Sequence, residues 1–213
     1  MAGCEAGMEK HLRERVKNCA TQVVYVEIGV ANGATFAAMT SIAKSAAAQP
    51  WYTVGVDIVN GWSLREPCVS LAMSNMGVPY RMQVPDKTAL VPLVRGASLY
   101  LKPSAVFLNE NWADFKLTID MALIDGCHGS KCVMADFEAL APHCVSGSII
   151  VFHDAAEAEQ IGPNQPHCAE PIRVYTGIKN LGLFDSHPEW DFVEWLHGDK
   201  SQNGNSCAIF RKK

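Results

Sequence analysis

The sequence predicts an α/β fold: a mainly parallel sheet of seven strands, helices on both faces and a C-terminal antiparallel hairpin. Three observations predict it. Short β-branched and aromatic runs alternate with stretches of helical periodicity, which implies right-handed crossovers and a sheet covered on both sides. The last two β-rich runs, at 191–196 and 206–211, are separated only by a short stretch holding Gly198 and Asn203-Gly204. That gap is too short for a helical crossover and suits a hairpin. No repeat, low-complexity tract or composition shift marks a linker, so residues 1–213 are expected to form one domain, with a helical lead over 1–22.

The first strand is Val23-Val24-Tyr25-Val26, running on to Glu27-Ile28-Gly29, the pattern of a buried strand. Phe36, Met39 and Ala43 follow at helical spacing in an alanine-rich stretch. Residues 52–57 form strand two, entered from Pro50 and ending on Asp57. Pro67 opens a helix and Gly77 closes it, by the proline-first, glycine-after asymmetry of helix ends. Residues 78–111 are less regular; strand three is placed at 90–94, where Pro92 indicates an edge or irregular segment. Strand four is Ile119-Asp120-Met121-Ala122-Leu123-Ile124-Asp125, an apolar run interrupted by Asp120. Ser130 is the expected cap of the next helix, with Val133, Phe137 and Leu140 on one face. Gly147 precedes Ser148-Ile149-Ile150-Val151-Phe152, strand five and the most strongly β-patterned run. A helix at 172–181 leads to the hairpin.

Bulk properties narrow the function. With 48% apolar and 19% charged residues the chain can fill a sizeable core. A net charge of −4 offers no electrostatic footprint for nucleic acid, and Arg211-Lys212-Lys213 reads as a solvated tail. No apolar run approaches the roughly 20 residues of a membrane span. Glu9, Lys10, Arg13, Glu14 and Arg15 occupy the place where a signal peptide needs an apolar stretch. The eight cysteines (Cys4, Cys19, Cys68, Cys127, Cys132, Cys144, Cys168 and Cys207) include no C-x-x-C pair. Reduced thiols and a cytoplasmic protein are therefore expected.

In such sheets ligands bind beyond the carboxyl ends of the strands, and four of those ends carry polar residues. Glu27-Ile28-Gly29-Val30-Ala31-Asn32-Gly33 has the spacing E-x-G-x-x-x-G. Its glycines allow a tight turn and close approach of a ligand to free N–H groups, although a plain βα turn has the same look. Asp57 can accept both hydroxyls of a ribose, or simply serve as a turn residue. Asp125-Gly126-Cys127-His128 ends strand four and His153-Asp154 ends strand five. Any one of these residues could be a satisfied surface group; together they mark a site.

These motifs resemble those of Class I S-adenosylmethionine (SAM)-dependent methyltransferases. The paired D-G-x-H and H-D ends are most similar to the branch of small O-methyltransferases, over about residues 23–155 and more weakly to Arg211. The resemblance implies a Rossmann-like fold. It places Glu27, Gly29 and Gly33 on the methionine side of the cofactor, with Ala31 and Asn32 offering backbone contacts. It assigns Asp57 to the ribose, Asp125 to the cofactor side of the site, and Ser98, in Arg95-Gly96-Ala97-Ser98, to the neighbourhood of adenine. Asp125, Asp154 and His153 are the implied ligands of a divalent cation, Mg²⁺ or Mn²⁺. His153 stands where some relatives have an acidic residue; it is either a ligand that suits Mn²⁺, Fe²⁺ or Zn²⁺ better than Mg²⁺, or a structural residue beside the ligands.

Methyl transfer needs alignment of a nucleophile with an already electrophilic methyl group and, for a hydroxyl, removal of a proton. His128, three residues beyond Asp125, is the candidate base. Cys127 inside the same motif is read as inert, and Trp62, Trp190 and Trp195 as packing residues. Residues 155–171, with Gly162, Pro163, Pro166 and Pro171, form the expected substrate-side loop. The expected acceptor is a small molecule with a hydroxyl group, not nucleic acid or membrane; N- and S-methylation stay open, as does the oligomeric state. Two rival readings stand beside this one. A nicotinamide-dependent oxidoreductase needs G-x-G-x-x-G after strand one, where only Gly29 and Gly33 occur. A non-catalytic SAM-binding module would have no use for Asp125, His128 and Asp154.

Overall fold

A computed structural model of the chain describes residues 3–31, 33–57, 66–83, 96–156, 169–185, 187–197 and 206–213. The described strands are β1 (Val23–Ile28), β2 (Trp51–Asp57), β3 (Tyr80–Gln83), β4 (Gly96–Leu101), β5 (Ile119–Ile124), β6 (Cys144–Phe152), β7 (Trp190–His197) and β8 (Ser206–Lys212). They form one sheet in the order β3-β4-β2-β1-β5-β6-β8-β7. The first six run parallel, while β8 is antiparallel to both β6 and β7. This is the Rossmann-like, mainly parallel sheet with a C-terminal antiparallel hairpin that the sequence predicts. An additional short edge strand makes the sheet eight-stranded. The expected strand at 90–94 lies outside the described residues, and the region around it contributes β3 and β4 instead. β4, Gly96-Ala97-Ser98-Leu99-Tyr100-Leu101, opens on small residues that carry little β signal. Gly96 has φ 146, and a Cβ there would stand 2.5 Å from the Pro79 carbonyl, so only glycine lets β4 start this close to the segment entering β3.

Helices α1 (Gly3–Asn18), α2 (Ala34–Ala46) and α3 (Glu66–Asn75) cover one face. Helices α4 (Ser104–Phe115), α5 (Ser130–Leu140) and α6 (Ala169–Asn180) cover the other. The alternation of strand side chains divides the core accordingly. Val24, Val26 and Ile28 pack with Phe107, Phe137 and Ile178, whereas Val23 and Tyr25 pack with Met8, Leu12 and Phe36. Burial at about 25 cal/mol per Å² of apolar surface on both faces is the main stabilising term. Gly129, not Ser130, precedes α5 as its cap, with no side-chain cap bond. Trp190 is buried against Phe137, and Trp195 stacks on Phe184.

Asp120, which interrupts the apolar run of β5, has a structural task. Its carboxylate accepts the Val24 N–H (2.8 Å) and the Cys19 thiol (3.0 Å), and pairs with Arg15 of α1 at 2.9 Å. Removing one partner from such a buried pair costs about 3–5 kcal/mol, so this contact pins α1 to the amino end of the sheet. Among the described residues no helix is long and apolar enough to cross a membrane. While Cys4, Cys19, Cys144 and Cys207 lie outside any disulfide, the expectation of reduced thiols fails at one pair: Cys127 and Cys132 form a disulfide. Their Cα atoms, 5.8 Å apart, lie within ordinary disulfide span because the first turn of α5 folds back on the preceding loop.

Candidate functional site

Strand order reverses at β1, with β2 on one side and β5 on the other, and this is where a crevice opens at the carboxyl ends of the strands. Ladder bonds run one residue past the strands there. Gly29 N–H donates to Val56 O (2.9 Å), Asp125 N–H to Ile28 O (2.9 Å), and His153 N–H to Ile124 O (3.0 Å). The tips carrying Gly29, Asp125 and His153 are therefore fixed by the sheet itself.

A cavity of about 380 Å³ occupies the crevice, lined among others by Gly29, Ala31, Asp57, Ser104, Asp125, Cys127, Cys132 and Asp136. Gly29 has φ 84, and a Cβ on it would lie 2.2 Å from the Asp125 carbonyl oxygen. A side chain there would close the crevice floor. Ala31 takes a left-handed φ of 50, at a cost of about 1–3 kcal/mol. The strained turn directs the Ala31 N–H to the Asp57 carboxylate at 3.2 Å. Gly33, φ 79, caps α2. Asn32 lies outside the described residues, as do Trp62 and most of the expected substrate-side loop. The disulfide and the Ser104–Asp136 hydrogen bond shape the opposite wall. Burial pushes the Asp136 carboxyl up to about 6, against the opposing Ser104 bond.

Asp125 belongs at once to this cavity and to a cluster of charged side chains. His128 Nε2 stands 3.5 Å from Asp125 Oδ1 and 3.6 Å from Asp154 Oδ2. His153 Nδ1 stands 3.2 and 3.3 Å from the same two oxygens. The His153 contact is one of charge proximity, because that nitrogen is shut off from solvent and no acceptor is aligned with it. Burial favours neutral forms for both His153 and Asp125, but the opposite charges outweigh it. The two carboxylates raise His153 to about 11, and the two imidazoles hold Asp125 below its usual range. Asp154 reaches the cluster through a left-handed φ of 51 just after β6.

One carboxylate oxygen each from Asp125 and Asp154 and one nitrogen of His128 lie within 4.8 Å of one another. Two carboxylates and an imidazole suit Mn²⁺, Fe²⁺ or Zn²⁺ better than Mg²⁺. His128, expected as the base, thus groups with the two aspartates, and His153 groups with Cys4 and Cys207.

Two cofactor expectations meet a different arrangement. Ser98 is buried in the middle of β4, level with Val54 and three residues short of the strand end that pairs with Asp57. At about 3.3 Å per residue that is some 10 Å from the crevice, so Ser98 does not line it; Pro103, Ser104 and Ala105 do. Glu27 is wholly buried one step below the crevice, where its carboxylate accepts the Tyr25 hydroxyl at 2.6 Å. Burial, opposed by that bond, pushes Glu27 up to about 8. Ser104, Cys132 and Asp136 were not readable as site residues: they lie on helices whose packing, not their spacing, brings them to the cavity.

Residues 26–155, more than half of the chain, match a protein family described as a methyltransferase domain. No curated protein matches in sequence. Solved structures match in fold. The O-methyltransferase TomG from Streptomyces achromogenes, solved with SAM, is 9% identical, covers 98% of this chain and 79% of its own, and has a TM-score of 0.67. An O-methyltransferase from Bacillus cereus in complex with SAH is 14% identical over 97% and 81% of the two chains, TM-score 0.63. The MycE methyltransferase of mycinamycin biosynthesis, in complex with Mg, SAH and mycinamycin VI, is 19% identical and covers 97% of this chain and 48% of its own, TM-score 0.55.

Proposed function

This chain belongs to the methyltransferase-domain family, and we propose that it transfers the methyl group of S-adenosylmethionine to a hydroxyl oxygen of a small-molecule acceptor, as a single domain. The observation that carries this reading is the double membership of Asp125, which lines the cavity and also anchors the imidazole–carboxylate cluster. A methyl donor held in the cavity and a proton acceptor held in the cluster would meet at that residue.

Each side chain has a task in this reading. Asp57, at the tip of β2, accepts the ribose hydroxyls, while Gly29 and Ala31 let the backbone approach the methionine portion. The acceptor oxygen attacks the sulfonium methyl in line; the O–C bond forms as the C–S bond breaks, and S-adenosylhomocysteine leaves. His128 takes the hydroxyl proton on Nδ1, while the negative charge of Asp125 and Asp154, which face its Nε2, stabilises the imidazolium formed. A divalent cation held by Asp125, Asp154 and His128 would lower the pKa of a bound hydroxyl; His128 would then orient the acceptor instead of acting as its base. In this reading the acceptor is a free small molecule and not a nucleic acid.

Isothermal titration with SAM and, separately, NAD⁺ tests the cofactor. Micromolar SAM binding without NAD⁺ binding is expected, and folded protein that binds only NAD⁺ would overturn the reading. Hydroxyl acceptors should then be turned over, and comparing activity after EDTA with activity restored by Mn²⁺ or Mg²⁺ decides whether the cluster works through a metal.

A further inference from the structure

Beneath the crevice, on the face covered by α1, Cys4, His153 and Cys207 bring one donor atom each to within 4.8 Å of one another. They come from three elements distant in sequence. Phe152 pairs with Ala208 in the antiparallel β6–β8 ladder, so the next positions, His153 and Cys207, stand opposite each other. Cys207 in turn pairs with Leu196 of β7. Cys4, in the first turn of α1, reaches the same place because Gly7 lies against Leu196: a Cβ on Gly7 would stand 2.3 Å from the Leu196 side chain. The Cys4 thiol donates to the Leu196 carbonyl at 3.5 Å. Both cysteines lie outside any disulfide, Cys207 fully buried and Cys4 nearly so.

We propose that Cys4, Cys207 and His153 form a binding site for a thiophilic divalent cation, Zn²⁺ by preference, distinct from the Asp125–His128–Asp154 cluster. Two thiolates and an imidazole are the soft and borderline donors that select such an ion, and three protein ligands are an established zinc set. Two thiolates also neutralise the ion, which makes burial among apolar side chains tolerable. Tetrahedral bonds of about 2.0–2.3 Å place ligand atoms roughly 3.3–3.8 Å apart, inside the 4.8 Å that bounds these three donors. On binding, the thiol protons and any proton on the coordinating nitrogen pass to solvent. The Asp125 and Asp154 carboxylates, 3.2 and 3.3 Å from His153 Nδ1, set negative charge beside the ring, which favours a ligand histidine. The site would staple α1 and the C-terminal hairpin to the β6 tip that carries Asp154.

Titration of the intact, reduced protein with Co²⁺, as a spectroscopic stand-in for Zn²⁺, reads the site independently of methyl transfer. A near-ultraviolet thiolate-to-cobalt charge-transfer band saturating at one equivalent is expected, reversed by Zn²⁺. Cobalt in the carboxylate cluster gives no such band. Cys4→Ser should weaken the binding that produces the band at least about tenfold, with the fold checked by circular dichroism. The double substitution Cys127→Ser, Cys132→Ser should leave the band in place. Absence of the band in the unsubstituted protein overturns the proposal whatever the variants do. So does a band indifferent to Cys4→Ser, or lost on replacing Cys127 and Cys132, or a Cys4–Cys207 disulfide persisting in anaerobically prepared, reduced protein.

Discussion

His128 and His153 stand against the same two carboxylate oxygens, Oδ1 of Asp125 and Oδ2 of Asp154, at 3.5 and 3.6 Å for the first and 3.2 and 3.3 Å for the second. Two imidazoles sharing one pair of carboxylates need not do the same work. His153 is wedged beside the thiols of Cys4 and Cys207, whereas His128 follows the loop that lines the cavity. Their substitution should therefore give different phenotypes.

His128→Ala should lower kcat about 10²–10⁴-fold, the usual contribution of a positioned proton acceptor, and leave the affinity for SAM within about threefold. Kinetics with a hydroxyl acceptor alongside calorimetry with SAM checks both halves. A fall in SAM affinity equal to the fall in rate would place His128 in cofactor binding instead.

Gly29→Ala should cost about 1–3 kcal/mol of stability through its left-handed φ of 84 alone. The new methyl would also collide with the Asp125 carbonyl 2.2 Å away, which shifts the crevice floor. Chemical denaturation reads the first effect and SAM titration the second; loss of measurable SAM binding is expected.

Asp57→Asn removes the charge while keeping an acceptor for the Ala31 N–H, now at 3.2 Å. Loss of a charged acceptor of two ribose hydroxyls predicts roughly 10- to 100-fold weaker SAM binding, about 1.5–3 kcal/mol, with little change in melting temperature. Unchanged affinity would remove Asp57 from the ribose site.

The buried Glu27 carboxyl titrates at about 8 in the folded protein against 4.5 in the unfolded chain. The folded state thus holds the proton more tightly, and stability must fall as pH rises between those values. The stability that protonated Glu27 allows is fully present below about 4.5 and gone above about 8. Glu27→Gln, which can still accept the Tyr25 hydroxyl, should flatten this part of the profile. Melting temperatures of both proteins across the window test it; parallel curves would show that Glu27 is already ionised at neutral pH.

How legible the molecule is in its sequence depends on the range of the interaction concerned. β1, β2, β5, β6 and the terminal hairpin were legible because side-chain periodicity and turn residues are local signals. β4 was not, because Gly96, Ala97 and Ser98 carry no β pattern and become a strand only by pairing between β2 and β3. The strand tips Gly29, Asp57, Asp125 and His153 were likewise readable one by one, since each directly follows an apolar run, with His128 and Asp154 close behind. Ser98 misled because its G-x-S spacing is local, while its depth in the sheet is set by the register with Val54.

By itself the sequence determined the α/β class, the order of most elements and the chemistry carried at the strand ends. Only the tertiary structure decided which of those groups meet. Strand order sets Asp125 between Gly29 and His153, the β6–β8 register sets His153 opposite Cys207, and the packing of Gly7 on Leu196 brings in Cys4. Packing of α5 closes Cys127 on Cys132. The reason is physical: periodicity and turn chemistry act over a few residues, whereas partners from distant segments are selected by sheet register and helix packing, which no local pattern encodes.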